Sequence, residues 1–97
     1  MMIPPNNRSV DAVAARLKLV RKTLGLSQKA FCERAGIAAN TYNQWEKGRG
    51  RPDLDYGQRI CDAYKLTLDF LYNGDPAGLP HNLAVAYLQS QMGQSAD

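Results

Sequence analysis

Asn40, Asn43, Gln44 and Lys47 stand close together in the chain, and their chemistry is that of recognition rather than reaction. An amide presents a donor beside an acceptor and can make a paired contact with adenine N6 and N7, while a lysine can reach guanine or a phosphate. At about 100° per residue, with Ala39 set at zero, Asn43, Lys47, Asn40 and Gln44 fall at about 40°, 80°, 100° and 140° on a helical wheel. They share one polar face, with Ala39 at its edge, where a methyl group can meet a thymine methyl or simply give clearance. Thr41, Trp45, Ala38 and Tyr42 fall between about 200° and 300°, on the side expected to face other helices. The pattern predicts a short helix with an aromatic anchor and an amide-rich exposed face.

No reactive constellation competes with it. The chain holds one histidine, His81, its acids are scattered, and no glycine-rich phosphate loop occurs, so an enzyme is not expected. Cys32 and Cys61 are far apart on apolar helix faces and read as small buried hydrophobes. A metal site needs about four closely spaced ligands, so neither a metal nor another cofactor is expected.

The elements that must position the amide face read as helices. Ser9 caps a first helix in which Val10, Val13, Ala14, Leu17, Val20 and Leu24 recur at helical spacing, with Asp11 near its positive end and Gly25 as the stop. Ser27 caps a second helix over 28–35, with Ala30, Phe31 and Ala35 inward before Gly36. After a very short connection the third helix runs over 39–47 and stops at Gly48. The basic loop Arg49-Gly50-Arg51-Pro52 follows. Pro52 and Asp53 set up a fourth helix over 54–64, and Thr67 caps a fifth over 68–73, closed by Gly74. Residues 75–80 break the pattern, and Leu83, Ala84, Tyr87, Leu88 and Met92 line one face of a sixth helix. The expected fold is all-α: a disordered arm over 1–8, a compact five-helix unit over 9–74, and a linker with an extra C-terminal helix over 75–97.

Charge is divided along the chain. Residues 8–51 hold ten basic and three acidic side chains and residues 52–97 hold two basic and six acidic, for an overall +3. A basic half joined to an acidic half is what a one-faced binder of polyanions would carry. No run approaches the roughly 18 consecutive apolar residues of a membrane span, and residues 1–7 have neither the basic start nor the apolar stretch of a signal peptide. A cytoplasmic location is expected.

The stretch from Gly25 to Pro52 resembles the lambda-repressor-like (Xre/Cro-type) helix-turn-helix family. The residues that carry the resemblance are Ser27-Gln28, Gly36 with Ile37, the inward pair Tyr42 and Trp45, then Glu46-x-Gly48 and Pro52. It continues through Ile60, Ala63, Leu66-Thr67-Leu68-Asp69, Leu71 and Gly74, and as one combined pattern it is specific where each piece alone is weak. Two positions depart from the family's pattern. Gly57 falls where a large apolar residue is usual, with Tyr56 the neighbour expected to fill the space. Lys65 replaces the glycine that often ends the fourth helix, which predicts a looser or differently capped turn.

The resemblance implies that the third helix enters the major groove, that Gln28 touches the DNA backbone at the first turn of the second helix, and that Arg21 and Glu46 form an internal ion pair. Lys29 adds a charge beside Gln28, and Arg49 and Arg51 are placed to grip phosphates. The expected DNA-binding set is Gln28, Lys29, Ala39, Asn40, Asn43, Gln44, Lys47, Arg49 and Arg51. The function expected is sequence-specific transcriptional regulation on double-stranded DNA, as a repressor, by a homodimer; the stripe after Gly78 is the candidate interface, the alternative being that this helix folds back on its own domain. The alternative is a helical protein-interaction module, such as the antitoxin of a toxin–antitoxin pair, with a protein partner.

Overall fold

Four of the six helices among the described residues begin at the side chain that the sequence offers as a cap. In the computed structural model, which describes residues 5–95, the helices are α1 (Val10–Thr23), α2 (Gln28–Ala35), α3 (Ala39–Glu46), α4 (Leu54–Tyr64), α5 (Leu68–Asn73) and α6 (His81–Ser95), after a 3-10 turn at Pro5–Arg8. Ser9, Ser27, Asp53 and Thr67 each accept the N–H three residues on, at 2.9–3.1 Å, and so satisfy one of the donors that a helix start leaves over. Helix α3 has no such cap, because Ala38 has nothing to accept with. Its Lys47 is the C-terminal cap rather than a helical residue, so the helix ends one residue short of the expected 39–47.

Helix α1 is the central element, packed against α3, α5, α6 and the N-terminal turn. Val13, Leu17 and Val20 from α1 are almost fully buried, with Phe31, Tyr42, Ile60, Phe70 and Leu71 around them. A row of aromatic rings runs beneath α2 and α3. Tyr64 stacks on Phe31 at 4.3 Å, Phe31 meets Tyr42 at 4.9 Å, Tyr42 meets Trp45 edge-on at 6.1 Å, and Trp45 meets Tyr56 at 5.3 Å. Such contacts add directional preference to plain apolar burial, so the row fixes the angle at which α3 lies.

The turn between α2 and α3 depends on Gly36, which caps α2 at φ 73°, ψ 42°, in the left-handed region that glycine enters at least cost. Lys65 makes the same kind of cap for α4 at φ 59°, ψ 40°, and its N–H still reaches the Cys61 carbonyl. The expected looser turn is not found: the chain accepts a left-handed lysine, at a cost of about 1–2 kcal/mol, and keeps the tight geometry. Gly57 has a different explanation from the one expected. Tyr72, not Tyr56, occupies the space: a Cβ on Gly57 would run into the Tyr72 hydroxyl, which donates to the Pro52 carbonyl at 2.7 Å.

Two terminal expectations are also revised. Pro5–Arg8 forms a 3-10 turn in place of the disordered arm expected over 1–8, because Arg16 Nη2 donates to the Asn7 carbonyl and Arg51 Nη1 to the Arg8 carbonyl, each at 2.6 Å. Residues 1–4 lie outside the described residues. The expected outward stripe of α6 is split. Leu83 and Tyr87 are buried in the core, Tyr87 edge-on to Phe70 at 5.1 Å, whereas Leu88 and Met92 are exposed on the other side and Ala84 is half-buried.

Cys32 and Cys61 are free and buried, and burial raises both thiol pKa values, that of Cys61 to about 11. Among the described residues no group of His, Cys, Asp and Glu is placed to hold a metal ion, and no helix is long and apolar enough to cross a membrane.

Candidate nucleic-acid interface

Helix α3 separates its two faces as an eight-residue helix on an aromatic floor must. Tyr42 and Trp45 are buried, Ala39, Asn40 and Gln44 are exposed, Asn43 and Thr41 are half-buried, and Lys47 is exposed at the end. Ala38 is exposed and not on the inner side where the wheel puts it, because it precedes the first helical turn. Asn40 supplies what Ala38 cannot: its Oδ1 accepts the Thr41 N–H at 2.9 Å, so one donor of the uncapped first turn is satisfied from within the polar face. Gln44 is also partly engaged, its Oε1 accepting from Arg49 Nη1 at 3.3 Å, while the Arg49 N–H donates to the Gln44 carbonyl at 3.0 Å. The basic loop thus folds back along the exposed face of the helix.

The start of α2 is tied to the end of α3 through Glu46. Arg21 grips that carboxylate with two parallel bonds, Nε to Oε2 at 2.7 Å and Nη2 to Oε1 at 3.0 Å, in a fork geometry stronger than single contacts. Gln28 Nε2 donates to the same Oε1 at 3.1 Å. Arg21 also donates to the Leu26 carbonyl at 3.0 Å, so one guanidinium joins α1, the α1–α2 turn and α3. Burial pushes the Glu46 pKa up, but the hydrogen bonds from Arg21, Tyr42 and Gln28 outweigh it and hold the carboxyl below its ordinary value. Arg21 is held above its own ordinary value, chiefly by the hydrogen bond to Glu46. The expected internal pair is present, and Gln28 is a third member that the sequence does not announce.

Of the nine expected contact residues, the structure brings Ala39, Asn40, Asn43, Gln44, Lys47 and Arg49 together on α3 and its loop. Gln28 and Lys29 lie at the first turn of α2, with Lys29 exposed. Arg51 is exposed, but its guanidinium is turned to the Arg8 carbonyl. Two further basic residues of the first half are taken out of the surface charge: Arg21 by Glu46, and Arg16, which is buried and donates to the Leu71 carbonyl at 3.1 Å and to the Asn7 carbonyl. Arg16 carried no signal in the sequence, because its acceptors are backbone groups.

A short helix locked on one side and lined with amides on the other, directly after a tight glycine turn and a capped helix, is the arrangement of a helix-turn-helix. Residues 17–71, more than half of the chain, match the family described as Helix-turn-helix. The chain belongs to the helix-turn-helix family, in its lambda-repressor-like branch. Among curated relatives, it is similar to the SPbeta prophage-derived uncharacterized HTH-type transcriptional regulator YonR of Bacillus subtilis, 32% identical over 62 residues, covering 64% of this chain and 57% of the relative. The cryptic phage CTXphi transcriptional repressor RstR of Vibrio cholerae is 29% identical over 61% of this chain and 53% of its own. The HTH-type transcriptional regulator ImmR of Bacillus subtilis is 28% identical over 66% and 50%. The helix-turn-helix chain described here thus spans about half the length of the curated relatives it matches. No solved structure matches it at a comparable level.

Proposed function

We propose that this helix-turn-helix chain is a sequence-specific DNA-binding transcriptional regulator, acting as a repressor, that sets α3 in the major groove. The observation that carries the reading is the division of α3: Tyr42 and Trp45 immobilised in the aromatic row, Ala39, Asn40 and Gln44 exposed and Asn43 at the edge. Base edges are read from Asn40, Asn43 and Gln44, with Ala39 giving clearance or a thymine contact. Gln28, Lys29, Lys47 and Arg49 hold the phosphate backbone and set the register. Two of the three relatives are named as regulators and one as a repressor, which agrees with this assignment. Asn40→Ala or Gln44→Ala weakens binding to a selected operator by about 1–3 kcal/mol and leaves binding to random duplex nearly unchanged. Operator selection from a random duplex library, followed by titration of both variants, measures this; equal losses on both DNAs would remove the two amides from base readout.

The working unit in this reading is a homodimer on a two-fold related site, since one short helix spans too few base pairs to define an operator. The outer face of α6 supports it. That helix carries no Asp, Glu, Lys or Arg, and while Leu83 and Tyr87 hold it to the core, Val85 and Leu88 are exposed at 37% and 50%. A helix apolar on both sides leaves one side to be covered. Deleting the tail would strip the core of Leu83 and Tyr87, so the clean test is Leu88→Glu, which touches only the outer face. Sedimentation is expected to give a folded monomer with weakened operator binding; an unchanged dimer would exclude α6 as the interface.

A further inference from the structure

We propose that the N-terminal 3-10 turn belongs to the DNA-binding surface, with Arg8 as a phosphate contact and Arg51 as the residue that positions it. The proposal rests on the reading that the α3 face binds duplex DNA, and it extends that surface to a part of the chain outside the matched family region.

The turn is docked and not trailing. Two successive carbonyls are each taken by a guanidinium of the folded domain, that of Asn7 by Arg16 and that of Arg8 by Arg51. The second bond joins residues 43 apart in sequence and brings Arg8 against the tip of the loop that follows α3. The start of α1 also approaches this loop: the Asp11 carboxylate lies so near Gly48 that a side chain there would collide with it. Arg8, Lys47, Arg49 and Arg51 are all exposed. Among the described residues the only ion pair is Arg21 with Glu46, so none of these four cations has a carboxylate partner. The acids beside them are Asp11 at Gly48 and Asp53 at the start of α4. Like charges gathered from two distant parts of a chain repel one another, and an array of phosphates is the ligand that offsets this. Arg51 has committed one edge of its guanidinium to a backbone carbonyl, which suits it to hold Arg8 in place. The Arg8 side chain makes no hydrogen bond or ion pair with the described residues and is the group left to meet the anion.

The test is the dependence of binding on salt, with the full chain and a duplex of unrelated sequence. Each phosphate contact on duplex DNA contributes about 0.9 to the slope of log K against log salt, a quantity that a loss of folding stability alone does not move. Arg8→Ala is expected to make the slope shallower by about 0.9. Arg51→Ala is expected to do the same through the loss of positioning, the double variant Arg8→Ala/Arg51→Ala to lose no more than either alone, and Arg51→Lys to restore the slope. Arg49→Ala serves as the control for the parent reading and lowers the slope in every background. If Arg49→Ala lowers the slope and Arg8→Ala does not, the turn is not part of the surface and the proposal is overturned. If the Arg8 and Arg51 losses add, Arg51 touches phosphate itself and its positioning role is wrong. If neither Arg49→Ala nor Arg8→Ala changes the slope, the interface reading fails and this proposal falls with it.

Discussion

Helix α1 turns two arginines inward, and they are satisfied in opposite ways. Arg21, near its C-terminal end, meets the carboxylate of Glu46 in a two-point ion pair on the side of helix α3. Arg16, five positions earlier on the same helix and facing the tail, pairs with no acid among the described residues: it donates to the carbonyls of Leu71 and Asn7 and lies beside the Tyr87 hydroxyl. Burial lowers the Arg16 pKa, whereas the bond to Glu46 raises that of Arg21. The first arrangement couples charge to charge and so couples α1 to α3. The second spreads one charge over neutral acceptors and staples the N-terminal turn, the end of α5 and α6 into one body.

 The two arginines are five positions apart in sequence, which is about 140° around a helix. It is this angle that sends them to different neighbours.

The largest expected effect separates the two directly. Arg21→Met strands the Glu46 carboxylate, whose side chain is 3% exposed, without its counter-charge. Breaking a buried pair from one side costs about 3–5 kcal/mol. Arg16→Met leaves only neutral carbonyls short of a donor, which costs about 1–3 kcal/mol. Urea unfolding of both variants measures the gap, and equal losses would show that the missing carboxylate makes no difference.

Acid sharpens the same contrast. Glu46 has a native pKa below its unfolded value, so its contribution is fully present above about pH 4.3 and is lost as the pH falls through the lower native pKa. In Arg21→Met the carboxyl is buried without its partner, its pKa rises, and protonation relieves the variant. The stability gap between wild type and Arg21→Met is therefore expected to narrow on acidification. The gap between wild type and Arg16→Met is expected to stay constant, since among the described residues no carboxylate pairs with Arg16. Denaturation midpoints followed from about pH 7 to about pH 3.5 check this, and a gap that narrows for both variants would mean that Arg16 also depends on a carboxylate.

What was legible in the sequence follows the same line. The caps at Ser9, Ser27, Asp53 and Thr67 and the aromatic anchor of α3 are local patterns of side chains, and the helices stand where those patterns put them. The pair Arg21 and Glu46 was reachable because both partners are side chains in a family pattern. Arg16, the bond from Arg51 to Arg8, and the Tyr72 hydroxyl over Gly57 were not, because each pairs a side chain with a backbone group or a bare Cα far along the chain. A carbonyl is the same at every residue, so no residue type marks the one that will be used. The expected stripe on α6 failed for a related reason: with apolar residues on both sides, its period does not say which side turns inward.

The smallest expected effect asks how the charge on Arg16 is shared. The Tyr87 hydroxyl is one of the neutral groups around the guanidinium, and the two crowd together over Gly74, where an added Cβ would meet the hydroxyl at 2.9 Å and Arg16 Nη1 at 3.0 Å. Tyr87→Phe removes that oxygen and keeps the ring, so the edge-on contact with Phe70 survives. With the carbonyls of Leu71 and Asn7 still in place, the loss is expected to be about 1 kcal/mol, the net worth of a single hydrogen bond. Thermal unfolding of Tyr87→Phe beside Arg16→Met is the measurement. If Tyr87→Phe costs as much as Arg16→Met, one oxygen holds the cation, and the contrast between a paired and a shared arginine on α1 collapses.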